Sequence, residues 1–265
     1  WRYRTSGWRY CAAESMSREV RQGKPDDARH SELGRRLVAV QEHIDRVCAE
    51  VQRPASGVTL IVVTKTWPEE DIERLVRLGV SDVGENKAQE LSAKFDQFAT
   101  VAPADVALRW HFIGQLQTNK AAIVAQRADV VHCIDRLRLV PALAKGLSGR
   151  TRPLDGLVQV SLDPPGTSAS HRGGVPADQL DELAAQVQQQ QGMTLRGVMG
   201  VAPHDGDARP AFARLQEISA HLRETYPHAT WISAGMSGDL DAALEFGATH
   251  LRVGSAILGQ RPLLG

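Results

Sequence analysis

The sequence has no excess of either charge: 31 Lys and Arg residues face 31 Asp and Glu. Without a global basic field, nucleic acid is not expected as the main partner, nor is a membrane surface held by electrostatics. Long apolar runs are also missing. The longest, such as residues 58–63, have strand length and fall well short of the roughly 18 residues of a membrane span. Cysteine is scarce, with Cys11, Cys48 and Cys133 odd in number and far apart. Neither a CxxC zinc pattern nor a disulfide framework can be read from them, so a reducing cytoplasm is the expected compartment. What remains is an ordinary globular composition, 42% hydrophobic and 23% charged over 265 residues. That length suits one large domain or two small ones, and the composition excludes wholesale disorder.

Only residues 1–30 depart from this average. They are rich in Arg and polar residues and lack an apolar h-region, so they are not a secretory signal. Glu14, Glu19, Asp26 and Asp27 make them too acidic for an organelle transit peptide. They are expected to be a disordered extension, or translated sequence upstream of the natural start, with Met16 as an alternative first residue. Residues 31–265 are expected to form one domain.

Beyond that point the pattern is regular. Leu33, Leu37, Val40, Ile44, Val47 and Val51 fall at steps of four and three, which predicts an amphipathic helix. Residues 58–64 (VTLIVVT) are continuous, apolar and β-branched, as in a parallel strand buried on both faces. Pro68 opens the next helix, with Glu69, Glu70 and Asp71 in its first turn. Further strands are predicted near 82–84, 108–113, 130–134, 156–162, 197–201, 230–233 and 250–253, with helical patterns between them. Eight β-α units over about 200 residues predict an α/β fold, a single-domain (β/α)₈ TIM barrel with an extra N-terminal helix. No GxGxxG follows the first strand, which weighs against a dinucleotide-binding sheet.

In such a barrel the working residues sit at the C-terminal ends of strands. Lys65 directly follows the first predicted strand. An ammonium at an apolar rim is partly desolvated and easier to deprotonate, and a neutral amine is what Schiff-base chemistry needs. A lysine that merely escapes into solvent where its strand ends is the alternative. At the other end of the chain, residues 233–239 (SAGMSGD) and 252–256 (RVGSA) join the last strands to their helices. Glycine and serine in these turns suit either a phosphate cup or ordinary turn chemistry. Arg252 lies two residues before Gly254 and so shares its face. Inside a barrel it needs an acceptor, either a carboxylate such as Glu85 or Asp135 or a heterocyclic ring nitrogen.

Taken together, VTKTWP (63–68), GENKAQE (84–90), WHFIGQLQTNK (110–120), RGG (172–174), RGVMGV (196–201) and the long segment 233–259 resemble the pyridoxal phosphate homeostasis protein family. That family is similar to the N-terminal barrel of alanine racemase, and the resemblance spans roughly residues 31–262. It implies that Lys65 forms an internal aldimine with pyridoxal 5′-phosphate (PLP). Ser237, Gly254 and Ser255 match phosphate-binding positions, Arg252 the arginine facing the pyridine nitrogen, and Asn86 the asparagine of the GEN motif. His111 and Met199 match pocket-lining positions. Ser255 stands where many members have threonine, Ala234 where methionine is common, and Gln115 where others have proline.

The family implies a PLP-binding protein that holds and delivers the cofactor in vitamin B6 and amino-acid homeostasis, with apo-PLP enzymes as recipients. An arginine against the pyridine nitrogen makes the ring a weak electron sink. Racemisation also needs a second acid-base group. In alanine racemase a tyrosine of an additional C-terminal domain supplies it, and no such domain is expected before Gly265. Of the three tyrosines, Tyr3 and Tyr10 lie in the extension and Tyr226 precedes Pro227. The enzyme alternatives are an amino-acid racemase or other low-rate PLP enzyme using Lys65 with water or His111, and a Schiff-base aldolase acting without PLP. A monomer is expected, with a dimer left open.

Overall fold

A computed structural model describes residues 25–101, 106–163, 172–203 and 206–260. Eight parallel strands close into a barrel in chain order. They are β1 (Thr59–Val63), β2 (Asp82–Glu85), β3 (Arg109–Phe112), β4 (Val130–Ile134), β5 (Leu154–Gln159), β6 (Met193–Met199), β7 (Trp231–Ser233) and β8 (His250–Val253). Pairing of β1 with β8, from Thr59 against His250 to Val62 against Val253, closes the ring. The helices are α1 (Pro25–Glu50), α2 (Glu69–Arg77), α3 (Ala88–Val101), α4 (Ala121–Arg127), α5 (Leu139–Ala144), α6 (Leu180–Gln189), α7 (Arg209–Thr225), α8 (Leu240–Glu245) and α9 (Ser255–Leu258). Among the described residues no helix is long and apolar enough to cross a membrane.

Strand alternation divides the side chains into two sets. Val62, Val83 and Trp110 face the helices, and Trp110 sits edge-on to Phe95 and Phe98 of α3 with centroids 5.8 and 6.0 Å away. Ile61, Val63 and Gly84 share the inner face: a Cβ on Gly84 would lie 3.0 Å from Ile61 and 3.7 Å from Val63. At the N-terminal end the barrel is plugged by charge and aromatic rings. Arg109 and Arg196 both bond Asp155 (3.2 and 2.8 Å), and each guanidinium lies 5.3 Å from the ring centre of Trp231.

The eighth outer position is filled from the other end of the chain. Among the described residues only the short α9 follows β8, and α1 packs against α2, α8 and α9. Leu33, Leu37, Ile44 and Val47 are the buried stripe of α1, as their spacing predicts, and Val40 is partly buried. The helix starts at Pro25, inside the segment assigned to the extension. Arg29 shows why it extends that far. Its guanidinium bonds Asp71 of α2 at 2.7 Å and the Leu258 carbonyl at 3.1 Å, and lies 4.8 Å from the Trp67 ring centre. The expectation for residues 1–24 lies outside the described residues.

Two strand positions differ from expectation. β5 and β6 begin at Leu154 and Met193, whereas Gly156 and Gly197 had marked their expected starts. Both glycines lie inside the strands, at an irregularity where Gly156 opposes Leu195 but Leu157 opposes Gly197. Arg196 is thus the extra residue of a bulge. At Gly197, with φ 151°, a Cβ would come 1.9 Å from the Trp231 carbonyl oxygen, so glycine permits a close backbone approach.

Candidate functional site at the barrel mouth

Lys65 lies two residues past β1, in the turn at the rim of the barrel, where it is half-buried. Arg252 stands on the neighbouring strand, in register with Ile61. Gly254 directly follows β8, and a Cβ there would lie 3.3 Å from the Val63 carbonyl oxygen. The turns after β7 and β8 converge, with the exposed hydroxyls of Ser237 and Ser255 3.3 Å apart. Met199 stands in register with Ser233 and is buried. Asn86 follows β2, and its Oδ1 is buried with no hydrogen-bond partner among the described residues. The turns after β1, β7 and β8, which carry Lys65, Ser237 and Ser255, therefore follow neighbouring strands at one end of the barrel. Two surface grooves of about 300 and 310 Å³ lie elsewhere, one beside Arg138 and Glu182 and the other beside Arg127 and Arg152, and neither includes Lys65 or Arg252.

Arg252 has neither carboxylate partner proposed for it. Glu85 turns outward to Lys94 at 2.8 Å, and Asp135 pairs with Arg136. Instead Arg252 donates to Ser233 Oγ at 2.6 Å and to the Gly200 carbonyl at 3.0 Å. Burial lowers its pKa to about 10, which leaves it a cation at neutral pH.

Beneath Arg252 a hydrogen-bonded chain runs down the barrel interior. Ser233 Oγ meets His132 Nδ1 at 2.8 Å, His132 Nε2 meets His111 Nδ1 at 2.9 Å, and His111 Nε2 meets Asp82 Oδ1 at 2.8 Å. The end groups fix the direction. Arg252 can only donate and an ionised Asp82 can only accept. With both histidines neutral, every link is satisfied if His111 donates to Asp82, His132 to His111, and Ser233 to His132; this assigns the tautomers from the network. The charges agree. His132 is held well below the usual histidine range, by burial first and by His111 and His250 next. For Asp82, burial opposes ionisation, but the bonds from His111 and Ser81 outweigh it and lower its pKa.

His111 is therefore placed in this chain below the mouth, fully buried with both ring nitrogens engaged, and not on the pocket wall where it was expected. Sequence reasoning missed Asp82, His132 and Ser233. The available signal was the polar residue inside each apolar strand, VVHCI and WHF, because a buried polar group needs a partner. Despite three histidines in the interior, no cluster suited to a metal ion occurs among the described residues.

Gly235 supports the β7 turn. Its φ is 87°, a Cβ would lie 2.7 Å from Ala243 and 2.9 Å from Leu251, and its carbonyl accepts the Arg252 N–H at 2.9 Å. Gly235→Ala should lower unfolding stability by about 2–4 kcal/mol through backbone strain and overpacking. Gly238→Ala, with nothing within 4 Å, is the control. Equal urea midpoints for the two variants would contradict this account.

Comparison with known proteins identifies the family. The model of the alanine racemase N-terminal domain family matches residues 35–262. A protein of Mycobacterium bovis named pyridoxal phosphate homeostasis protein is 38% identical over 249 residues, covering 89% of this chain and 95% of its own. The protein of that name from Vibrio cholerae is 36% identical, covering 84% and 97%. The solved structure of PipY from Synechococcus elongatus with PLP bound superimposes with a TM-score of 0.72 at 29% identity, over 86% of this chain and all of that one. The chain thus belongs to the pyridoxal phosphate homeostasis protein family, built on the barrel of the alanine racemase N-terminal domain.

Proposed function

We propose that this protein binds PLP in the barrel mouth through Lys65, and holds and delivers it as part of vitamin B6 and amino-acid homeostasis. The observation that supports this reading is that β1, which leads directly into Lys65, pairs with β8, which carries Arg252 opposite Ile61, while Ser237 and Ser255 meet at 3.3 Å in the adjoining turns. When bound, the cofactor supplies an aldehyde, which the Lys65 amine takes up as a Schiff base with loss of water. The two serine hydroxyls and the turn around Gly254 suit a phosphate, Arg252 a ring nitrogen, and Asn86 offers a buried acceptor. Met199 gives the pocket an apolar floor. The names of the relatives, and the PLP held by PipY, support the same assignment.

Two features favour holding over turnover. A guanidinium donates a hydrogen bond to a ring nitrogen without giving up its proton, which leaves the ring a weak electron sink. The engagement of both His111 nitrogens inside the barrel also takes away the second base that a racemase reading needs. Apo-PLP enzymes are the proposed recipients.

Reconstitution with PLP, followed by transfer to an apo-enzyme, tests the proposal. A near-visible absorbance band and recovery of the acceptor's activity are expected, with α-proton exchange of alanine and serine no faster than with free PLP. A colourless protein that PLP does not reconstitute would overturn the reading and favour the aldolase alternative. Exchange well above free PLP would replace the carrier with a racemase.

A further inference from the structure

A second lysine, Lys94 of α3, is 3% exposed and plays no part in the site described above. Its ammonium bonds three oxygens, the Thr64 carbonyl, Glu85 Oε1 and Glu90 Oε1, each at 2.8 Å. Thr64 Oγ1 donates to the same Glu85 oxygen at 2.6 Å. Glu90 in turn accepts the backbone N–H of Thr66. Thr64 and Thr66 are the two neighbours of Lys65, and Thr66 has φ 68°, a left-handed conformation uncommon for a β-branched residue.

We propose that Lys94, with Glu85 and Glu90, is a positioning group that clamps the backbone on both sides of Lys65 and so aims its amine into the mouth. The proposal rests on the reading of Lys65 as the Schiff-base lysine. The Thr64 carbonyl is held by Lys94 directly, and the Thr66 N–H is held through Glu90. Both anchors lie behind the strand, on the helix side, where Glu85 is fully buried and its second oxygen has no partner among the described residues. Lys94 resists displacement, because moving its ammonium away would leave two carboxylates, one of them fully buried, without their cation. The Thr66 conformation persists only while its surroundings hold it. Lys94 touches neither the mouth nor a ligand there, so its effect passes through the backbone of Lys65.

The test separates binding of PLP from its capture by Lys65. Lys94→Met and Glu90→Leu should reduce the PLP fixed to protein by borohydride about tenfold, while total PLP retained changes less than about threefold. Glu90→Gln keeps an oxygen for the Thr66 N–H and should restore capture. In the apo protein, hydrogen exchange at the Thr66 amide should quicken in Lys94→Met and Glu90→Leu, and stay slow in Glu90→Gln. Wild-type capture in both disrupting variants would overturn the proposal. So would a parallel loss of capture, total binding and melting temperature, which a merely structural role would give. A wild-type protein with no borohydride-fixable PLP would remove the cofactor reading instead, and the clamp would then stand or fall on Thr66 exchange.

Discussion

Lys65→Ala should abolish the near-visible band of the PLP-loaded protein and reduce borohydride-fixed cofactor to background. The expectation follows from position. Lys65 stands in the turn just past β1, and β1 pairs with the strand that carries Arg252, so under the proposed reading it is the amine that meets an aldehyde whose ring faces that arginine. Lys94, on the helix side of β1, is committed to three oxygens and cannot substitute. Non-covalent retention should survive in part, because Ser237, Ser255 and Arg252 are untouched. Removing a half-buried rim side chain should change unfolding stability by less than about 1 kcal/mol. The variant would then elute PLP on gel filtration while melting close to wild type. A variant that still yields protein-fixed PLP after reduction would show that another amine carries the linkage.

Acid should weaken the barrel well before its carboxylates titrate. His250, stacked on Trp231 with centroids 4.2 Å apart, has its pKa lowered to about 3, by burial first and then by the neighbouring His111 and Arg109, against the pull of Asp82. His132 is lowered as well. Above the unfolded histidine value near 6.5 both rings are neutral in either state, and their contribution is complete. Below it, the unfolded chain binds protons that the folded interior refuses. Stability then falls by about 1.4 kcal/mol per pH unit for each such group. For His250 this continues down to about pH 3 and amounts to roughly 2 kcal/mol by pH 5, with His132 adding in the same direction. The lowered pKa of Asp82 extends the loss to still lower pH, since its share is present above the unfolded carboxylate value and disappears as pH drops through the folded one. Urea unfolding at pH 7 and pH 5 measures the effect, and His250→Phe should flatten it. Equal stability at the two pH values would contradict buried, neutral His250 and His132.

The barrel was legible because strands buried on both faces read as apolar runs, and their alternation with helical spacing leaves few alternatives. The places of Lys65, Ser237, Arg252 and Gly254 at or just past strand ends were legible for a related reason, since an apolar run also marks where its strand stops. Partners were harder to read. That Arg252 bonds Ser233 and the Gly200 carbonyl, and that Glu85 turns away to Lys94, depends on register and side-chain reach, which periodicity does not encode. His111 was matched to the pocket wall for the same reason. Its motif gave the strand but not the depth along it. The starts of β5 and β6 were displaced because glycine, read as punctuation, serves here inside a bulge. The reach of α1 back to Pro25 was hidden by a polar sequence whose Arg29 is ordered by distant partners.

Filling the last outer position of the ring with α1 has a consequence for how the chain reaches its native state. The contact between Arg29 and the Leu258 carbonyl joins residues 229 apart in sequence, and β1 can pair with β8 only when both are present. Such contacts meet the loop-closure entropy of nearly the entire chain before they return any stability. On a ribosome, β1 to β7 would emerge with an unpaired edge and with α1 lacking part of its packing surface. Completion of the ring is therefore expected to be the final cooperative event, and shortening the chain at either of these two elements should affect refolding yield more than trimming any surface loop.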